Sequence, residues 1–366
     1  MAISVIAATL EQKVWLKTGS RTAYPNLYVF LVGPPGVGKT AAIMAAQGFY
    51  RELPKPKLSP TSVSKASLVD CLDEFKGFEP QFGQQSPLQY NSMYIMADEL
   101  SSFMSEYSPE LVGILTTLYD VNAPYKEAKR VGSLKKLIER PQLNVLCGTT
   151  PENLVKTFNK GEAWGQGFAS RTLMIFSTDR GAPVDKFEAP ILEMPDEMIH
   201  DLRIIDRMIG GFSWDEEYHE KYWGWKNLGY TPVPTHPKLE HYCTRREQHH
   251  ERLAMISSVD RGNDLKLTKI DFDRAYNWLC EAEKYMPRVF GMGSTTVDGR
   301  ALQDLLHFIK DEGGAIGIHE RKINNWTALN MMRSQRMDAI SALESAGLIE
   351  AIRIDKMNLR TFRAVV

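Results

Sequence analysis

Three glycines, a lysine and a threonine stand where they could hold an anion. Leu31-Val-Gly-Pro-Pro-Gly-Val-Gly-Lys-Thr40 fits the phosphate-binding pattern G-x-x-x-x-G-K-[ST] at every fixed position. Gly33, Gly36 and Gly38 let the backbone turn sharply, so that its N–H groups point inward at a phosphate. A helix beginning near Lys39 adds its positive end to the same point. Lys39 reaches β- and γ-phosphates, and the Thr40 hydroxyl binds Mg²⁺. Gly33, Pro34, Pro35, Gly36, Val37, Gly38, Lys39, Thr40 and Ala41 together make the expected cradle for ATP.

The second chemistry is acidic. Ser92-Met-Tyr-Ile-Met96 runs into Ala97-Asp98-Glu99, an apolar strand ending in two carboxylates. Asp98 is expected to hold Mg²⁺ with Thr40, and Glu99 to polarise the attacking water. A base placed directly after the metal acid favours hydrolysis over transfer to a bound metabolite. Leu143-Asn-Val-Leu-Cys147 ends in Gly148-Thr-Thr150. In related ATPases a polar residue at such a tip, between the loop strand and the acidic strand, senses the γ-phosphate. Thr149 and Thr150 both qualify, with Thr150 preferred. Arg171 closes Gly165-Gln-Gly-Phe-Ala-Ser-Arg171 and opens the strand Thr172-Leu-Met-Ile-Phe176. In an oligomeric ATPase an arginine there faces the neighbouring subunit's γ-phosphate. Its alternative is an intrachain salt bridge.

The elements that must position these residues follow from periodicity. Asn26–Val32 is an apolar, β-prone run into the loop and Ala41–Gln47 a helix-prone run out of it. Leu27–Val32, Ser92–Met96, Leu143–Cys147 and Thr172–Phe176 are expected strands. Their alternation with helical segments up to about residue 180 predicts an α/β sheet of parallel strands. The first residues suggest a short helix from Ile3 to Lys17. From about 195 to 290 the pattern is helical, with Arg245–Ser258 and Ile270–Tyr285 as examples. The aromatic stretch Trp214 to Tyr230 reads as packing, and Tyr230–Pro237 as an extended connection. Gly291–Thr296 suits a linker.

Beyond the linker, Ala301–Lys310, His319–Trp326 and Arg333–Ser345 are expected helices. The strand-like runs Ile349–Ile354 and Leu359–Val365, joined by Asp355–Asn358, follow them. Three helices and a hairpin predict a winged helix-turn-helix. Arg333 and Arg336 open its recognition helix, and Arg353, Lys356, Arg360 and Arg363 decorate the wing, which points to DNA. Protein docking is the alternative use of such a unit. A basic insertion at about 121–140 carries Lys126, Lys129, Arg130, Lys135, Lys136 and Arg140 against two acids. It is either a nucleic-acid contact or a solvated face. The expected division is a core over 1–190, a helical lid over 191–292 and the winged helix over 297–366.

Bulk properties set the limits. The chain of 366 residues is 43% hydrophobic and 24% charged with net charge −1, so bulk charge does not coat a polyanion. Cys71, Cys147, Cys243 and Cys280 show no C-x-x-C spacing, which speaks against zinc and disulfides and fits a cytoplasmic protein. The apolar runs are too short for a bilayer, and no secretory signal is read at the N-terminus. The loop begins so early that the chain reads as trimmed from a longer protein.

Ala169-Ser-Arg-Thr-Leu-Met-Ile-Phe176 resembles the serine-arginine finger and strand of the minichromosome-maintenance replicative helicases. Thr244-Arg-Arg-Glu-Gln-His-His-Glu-Arg-Leu-Ala254, with Leu267–Ala275 downstream, is similar to their helical lid. That resemblance implies Arg245 as a lid-borne sensor of nucleotide, with Arg252 as the fallback. The run from about 5 to 285 looks like the replication ATPases of phages and mobile elements. There a phosphate loop, an Asp-Glu-Leu strand end and a Gly-x-x-Ser-Arg finger recur in this order. The resemblance implies an α/β P-loop NTPase core of the AAA+-like kind, assembled as a hexameric homo-oligomer. It implies movement along single-stranded or forked DNA, beside a primase or other replication protein, in the host cytoplasm. In such a ring the basic insertion points toward the channel. Thr172 stands where an aromatic usually follows Ser-Arg, and the sequence carries no primase domain or zinc element. The leading expectation is an ATP-driven DNA helicase or translocase. A helicase loader or initiator that does not unwind is the alternative. A metabolite kinase comes third, because it needs neither the Ser-Arg segment nor a winged helix.

Overall fold

Strands buried on both faces read as near-continuous apolar runs, and this sequence has several. In the computed structural model, all nine residues of Pro141–Thr149 are buried, as are eight of the ten in Leu88–Ala97. The structure describes the chain except for residues 61, 80–87, 105–108, 121–123, 129–134, 159–166, 180–194, 235, 294–298, 332, 355–358 and 366. It is an α/β protein whose mixed sheets contain parallel strands.

The first part runs α1 (Ala2–Leu10), β1 (Val14–Thr18), β2 (Arg21–Ala23), β3 (Tyr28–Val32), α2 (Lys39–Arg51), α3 (Lys65–Glu74), β4 (Lys76–Glu79) and β5 (Leu88–Ala97). It continues with α4 (Leu100–Phe103), α5 (Pro109–Tyr119), β6 (Tyr125–Ala128), β7 (Lys135–Ile138), β8 (Pro141–Thr149), α6 (Pro151–Phe158) and β9 (Thr172–Phe176). The main sheet has the order β4-β5-β8-β3-β9. β5, β8, β3 and β9 are parallel, and only the edge strand β4 runs against them. The strand that ends in the two threonines therefore lies between the loop strand and the acidic strand.

The N-terminus departs from expectation. The helix stops at Leu10, because Glu11 takes a positive φ of 51°. Val14-Trp-Leu-Lys-Thr18 then alternates buried and open positions, as a half-covered strand does. The Glu11 carboxylate is buried, paired with Lys57 at 2.8 Å and accepting from the Tyr90 hydroxyl.

The next part holds α7 (Asp196–Asp206), β10 (Gly210–Trp214), α8 (Glu216–Asn227), α9 (Glu240–Cys243), α10 (Arg246–Arg261), β11 (Lys266–Leu267) and α11 (Lys269–Gly293). It is not wholly helical. β10 and β11 join β1 and β2 in a second sheet of order β11-β10-β1-β2. Gly-Gly-Phe-Ser-Trp becomes a strand because β1 offers it a parallel edge, with Val14 opposite Gly210. This sheet crosses the expected boundary at residue 190.

The last part comprises α12 (Gly299–Gly313), β12 (Ile318–His319), α13 (Glu320–Asn330), α14 (Arg333–Ser345), β13 (Ile349–Ile354) and β14 (Arg360–Ala364). Its antiparallel sheet has the order β12-β14-β13, and α14 packs on α11. Among the described residues, no helix is long and apolar enough to cross a membrane.

Candidate functional site

The loop from Gly33 to Gly38 joins the C-terminal end of β3 to α2. Gly36 and Gly38 have φ of 86° and 84°, a region in which side-chain-bearing residues are strained. Lys39 folds back into the loop, its Nζ donating to the carbonyls of Gly33 at 2.6 Å and Pro34 at 2.9 Å. Burial lowers the Lys39 pKa, and the facing carboxylates of Glu99 and Glu152 oppose that shift. α2 starts with no side-chain cap and no acid in its first turn. The first N–H groups of a helix have no partner within it, so this end offers donors that could hold an anion. Pro35, Gly36, Gly38, Thr40 and Ala41 are exposed around it. A cation held among carbonyls, an uncapped helix start and carboxylates opposite fit a metal-bound phosphate chain.

The two acids end β5. Asp98 is exposed and Glu99 half-buried. A Cβ on Gly148 would lie 2.4 Å from the Asp98 carbonyl oxygen, so glycine there lets the tips of β5 and β8 close together. Thr149 is fully buried opposite Val32, and its carbonyl accepts from the Gly33 N–H at 3.2 Å. Its hydroxyl donates to the Thr150 carbonyl at 3.3 Å. The Thr150 hydroxyl caps α6 by accepting from the Asn153 N–H at 3.2 Å. The side chain brought to Glu99 from this tip belongs to Asn153, whose Nδ2 donates to Oε1 at 3.2 Å. Sequence reasoning missed Asn153. Its only signal was an amide one turn beyond the Thr-Thr pair, on the first turn of a helix.

Arg171 lies at the other end of the sheet. It directly precedes Thr172, which pairs with Tyr28 at the start of β3, while the loop follows Val32. Four residue steps of strand separate the two ends by about 13 Å. The Arg171 guanidinium donates to Asp120 Oδ2 at 2.5 Å and to the Gly167 carbonyl at 2.8 Å. Arg245 meets the same carboxylate at 3.2 and 3.3 Å and also Gln248 at 2.9 Å. Arg252 lies 4.1 Å over the Tyr119 ring and donates to the Tyr24 carbonyl at 3.1 Å. Burial would raise the Asp120 pKa, but the Arg171 hydrogen bond and the charges of Arg171, Arg245 and Arg252 hold it below its usual value. His249 ties α10 to this cluster through Nε2, 2.9 Å from the Ser170 carbonyl, which requires the proton on Nε2. Burial lowers its pKa to about 3, against the hydrogen bond to Ser170.

The structure thus gathers Lys39, Glu99 and Asn153 at one end of the sheet, and Arg171, Arg245 and Arg252 at the other. Within one chain the arginines do not reach the loop.

The basic residues divide similarly. Lys126 is exposed on β6, which pairs antiparallel with β7. Lys136 pairs with Asp70 of α3. Lys129 and Arg130 lie outside the described residues, as do the side chains of Lys135 and Arg333 and the whole of Lys356. Arg336 donates to the carbonyls of Ala328 at 2.8 Å and Met331 at 3.2 Å, closing the end of α13. Arg360 pairs with Glu344 at 2.8 Å and Arg363 with Glu350. Among the described residues there is no group of three or more His, Cys, Asp or Glu that could hold a metal. A Mg²⁺ site would need the Thr40 hydroxyl and the phosphates themselves. No protein-family model and no curated protein matches the chain.

Proposed function

We propose that this chain is an ATP hydrolase of the AAA+-like P-loop kind, built to move DNA as a ring, probed below as a helicase. One observation carries this reading: a phosphate-shaped loop with its acids ends the strands that begin beside an arginine cluster. A copy docked with its arginine end against a neighbour's loop end would complete a site that neither chain makes alone.

Lys39 and the first turn of α2 would bind the β- and γ-phosphates of ATP. Thr40 and Asp98 would hold Mg²⁺, which neutralises phosphate charge when bound. Glu99, oriented by Asn153, would take a hydrogen bond from the attacking water and withdraw its proton. Arg171, with Arg245 beside it, would meet the neighbour's γ-phosphate, exchanging one oxyanion for another. The β6–β7 hairpin, with Lys126 on it, would lie along the strand being moved. The order of helices and hairpin in the last part of the chain, from α12 to β14, supports reading it as a winged helix.

A second reading, a helicase loader that docks on a protein, draws on that same part. Its Arg336, Arg360 and Arg363 are already engaged, while Ile352 and Ile354 on β13 are 37% and 66% exposed. One assay separates the two: ATP turnover and strand displacement on a forked duplex by the purified chain. Helicase action predicts turnover stimulated by single-stranded DNA, together with displacement. The loader predicts turnover without displacement. Absence of turnover, or turnover unchanged in Lys39→Ala, refutes the assignment of the loop.

A further inference from the structure

Packing explains only half of the aromatic stretch after β10. Tyr218 and Trp225 are buried at 4% and 5% exposure, but Trp214 and Trp223 keep 44% and 52%. Trp214, Tyr218, Tyr222 and Trp223 line a cleft of about 500 Å³ between α8, α10 and the β1–β2 turn, a size usual for small ligands. Its charged walls cancel in pairs. Arg21 meets Glu251 at 2.5 Å and Lys226 meets Glu247 at 2.8 Å, while the Tyr222 hydroxyl reaches both carboxylates at 2.5 and 3.1 Å. The cleft therefore asks for an uncharged, flat occupant. The buried Tyr218 hydroxyl has no hydrogen-bond partner, nor has the buried Thr18 Oγ1 on the same lining. Both oxygens are covered from solvent, so an occupant of the cleft meets the aromatic faces and not these atoms.

A smaller recess of about 200 Å³ shares Arg21 and Gln248 with this cleft and is lined further by Asp120, Arg245 and Arg252. Arg252 is 5% exposed and lines the recess. Since Arg21 is matched by Glu251, Arg245 and Arg252 leave the recess positive against Asp120 alone. An aromatic cleft beside an arginine-lined recess has the chemistry of a base joined to a phosphate.

We propose that the cleft and recess bind a nucleoside 5′-phosphate, the base among Trp214, Tyr218, Tyr222 and Trp223 and the phosphate against Arg252. This site stands at the arginine end of the main sheet, away from this chain's own Gly33–Thr40 loop, and uses Arg252 rather than the Arg171 assigned to a neighbour's γ-phosphate. The nucleotide can come from the free pool or from a single DNA strand.

Calorimetric titration of the full-length Lys39→Ala chain with dTMP and with a short oligothymidylate tests it, because that variant removes loop binding. Saturable binding of at least one ligand is expected. On that background Trp223→Ala should weaken it about tenfold, from lost stacking. Trp214→Ala, at the other exposed ring of the cleft, should also weaken it about tenfold. Oligothymidylate binding at least tenfold tighter than dTMP identifies a strand as the source; similar affinities identify free nucleotide. The proposal is overturned if neither ligand binds, or if both variants bind as well as their parent. Neither result depends on ATP turnover, so failure here and failure of the loop assignment are separable.

Discussion

The two ends of β3 hold charge in opposite ways. At the loop end the donors are main-chain N–H groups and one lysine, set among exposed residues. At the arginine end the donors are guanidinium groups with little side-chain exposure, 11% for Arg171 and 20% for Arg245, sharing the Asp120 carboxylate. A helix start cannot pair its own first N–H groups, so the loop end keeps donors open to an anion. The arginines could not be this buried without an anion, and Asp120 supplies one from within the chain. A carboxylate and a phosphate oxyanion offer a guanidinium similar geometry. Asp120 thus keeps the cluster in the arrangement a neighbour's γ-phosphate would need.

The strongest way to break this comparison is Arg171→Ala. ATP turnover should fall about 10³-fold or more while ATP binding persists, because in the proposed ring the arginine would act on a neighbour's nucleotide. Mixing that variant with Glu99→Gln protein should restore part of the activity, measured as turnover against mixing ratio. Mixing without effect would make Arg171 a purely internal partner of Asp120.

Acid should weaken the arginine end next. His249 and His250 are both buried on α10, and burial lowers their pKa values to about 3 and about 4. The facing charges of Arg171, Arg245 and Arg252 push His249 the same way, while the Ser170 carbonyl opposes them. Below the ordinary value of 6.5 the unfolded chain binds protons that the folded chain does not. Stability is then lost as pH falls from about 6.5 toward 4, by up to about 1.4 kcal/mol per pH unit for each ring. Asp120 adds a further loss only below its ordinary carboxylate range, because its folded pKa is depressed. Urea midpoints at pH 7 and pH 5 measure this; equal midpoints would remove the two histidines from the account.

The smallest effect sharpens the loop end. Asn153→Ala should lower turnover about tenfold with ATP affinity unchanged, since a hydrogen bond to the Glu99 carboxylate is worth about 1.5 kcal/mol. A larger loss on Thr150→Ala than on Asn153→Ala, both read as kcat, would return the sensing role to the threonine.

Local features were readable in advance. The four parallel strands of the main sheet fell within a few residues of their expected places, because each is a continuous apolar run. β10 was not readable, since its Gly-Gly-Phe-Ser-Trp has no strand pattern until β1 lies beside it. The helix expected from Ile3 to Lys17 overran for a related reason: apolar residues on either side of Glu11 look continuous until a positive φ separates them.

By itself the sequence determined the loop, the acid pair and the strands that present them, because glycine spacing, helix starts and apolar periodicity act over a few residues. Only the tertiary structure decided that Glu99 meets Asn153, 54 residues on, and that Asp120 gathers Arg171 and Arg245 from 51 and 125 residues away. Such pairings depend on where whole strands and helices come to rest, and short-range spacing carries no information about that.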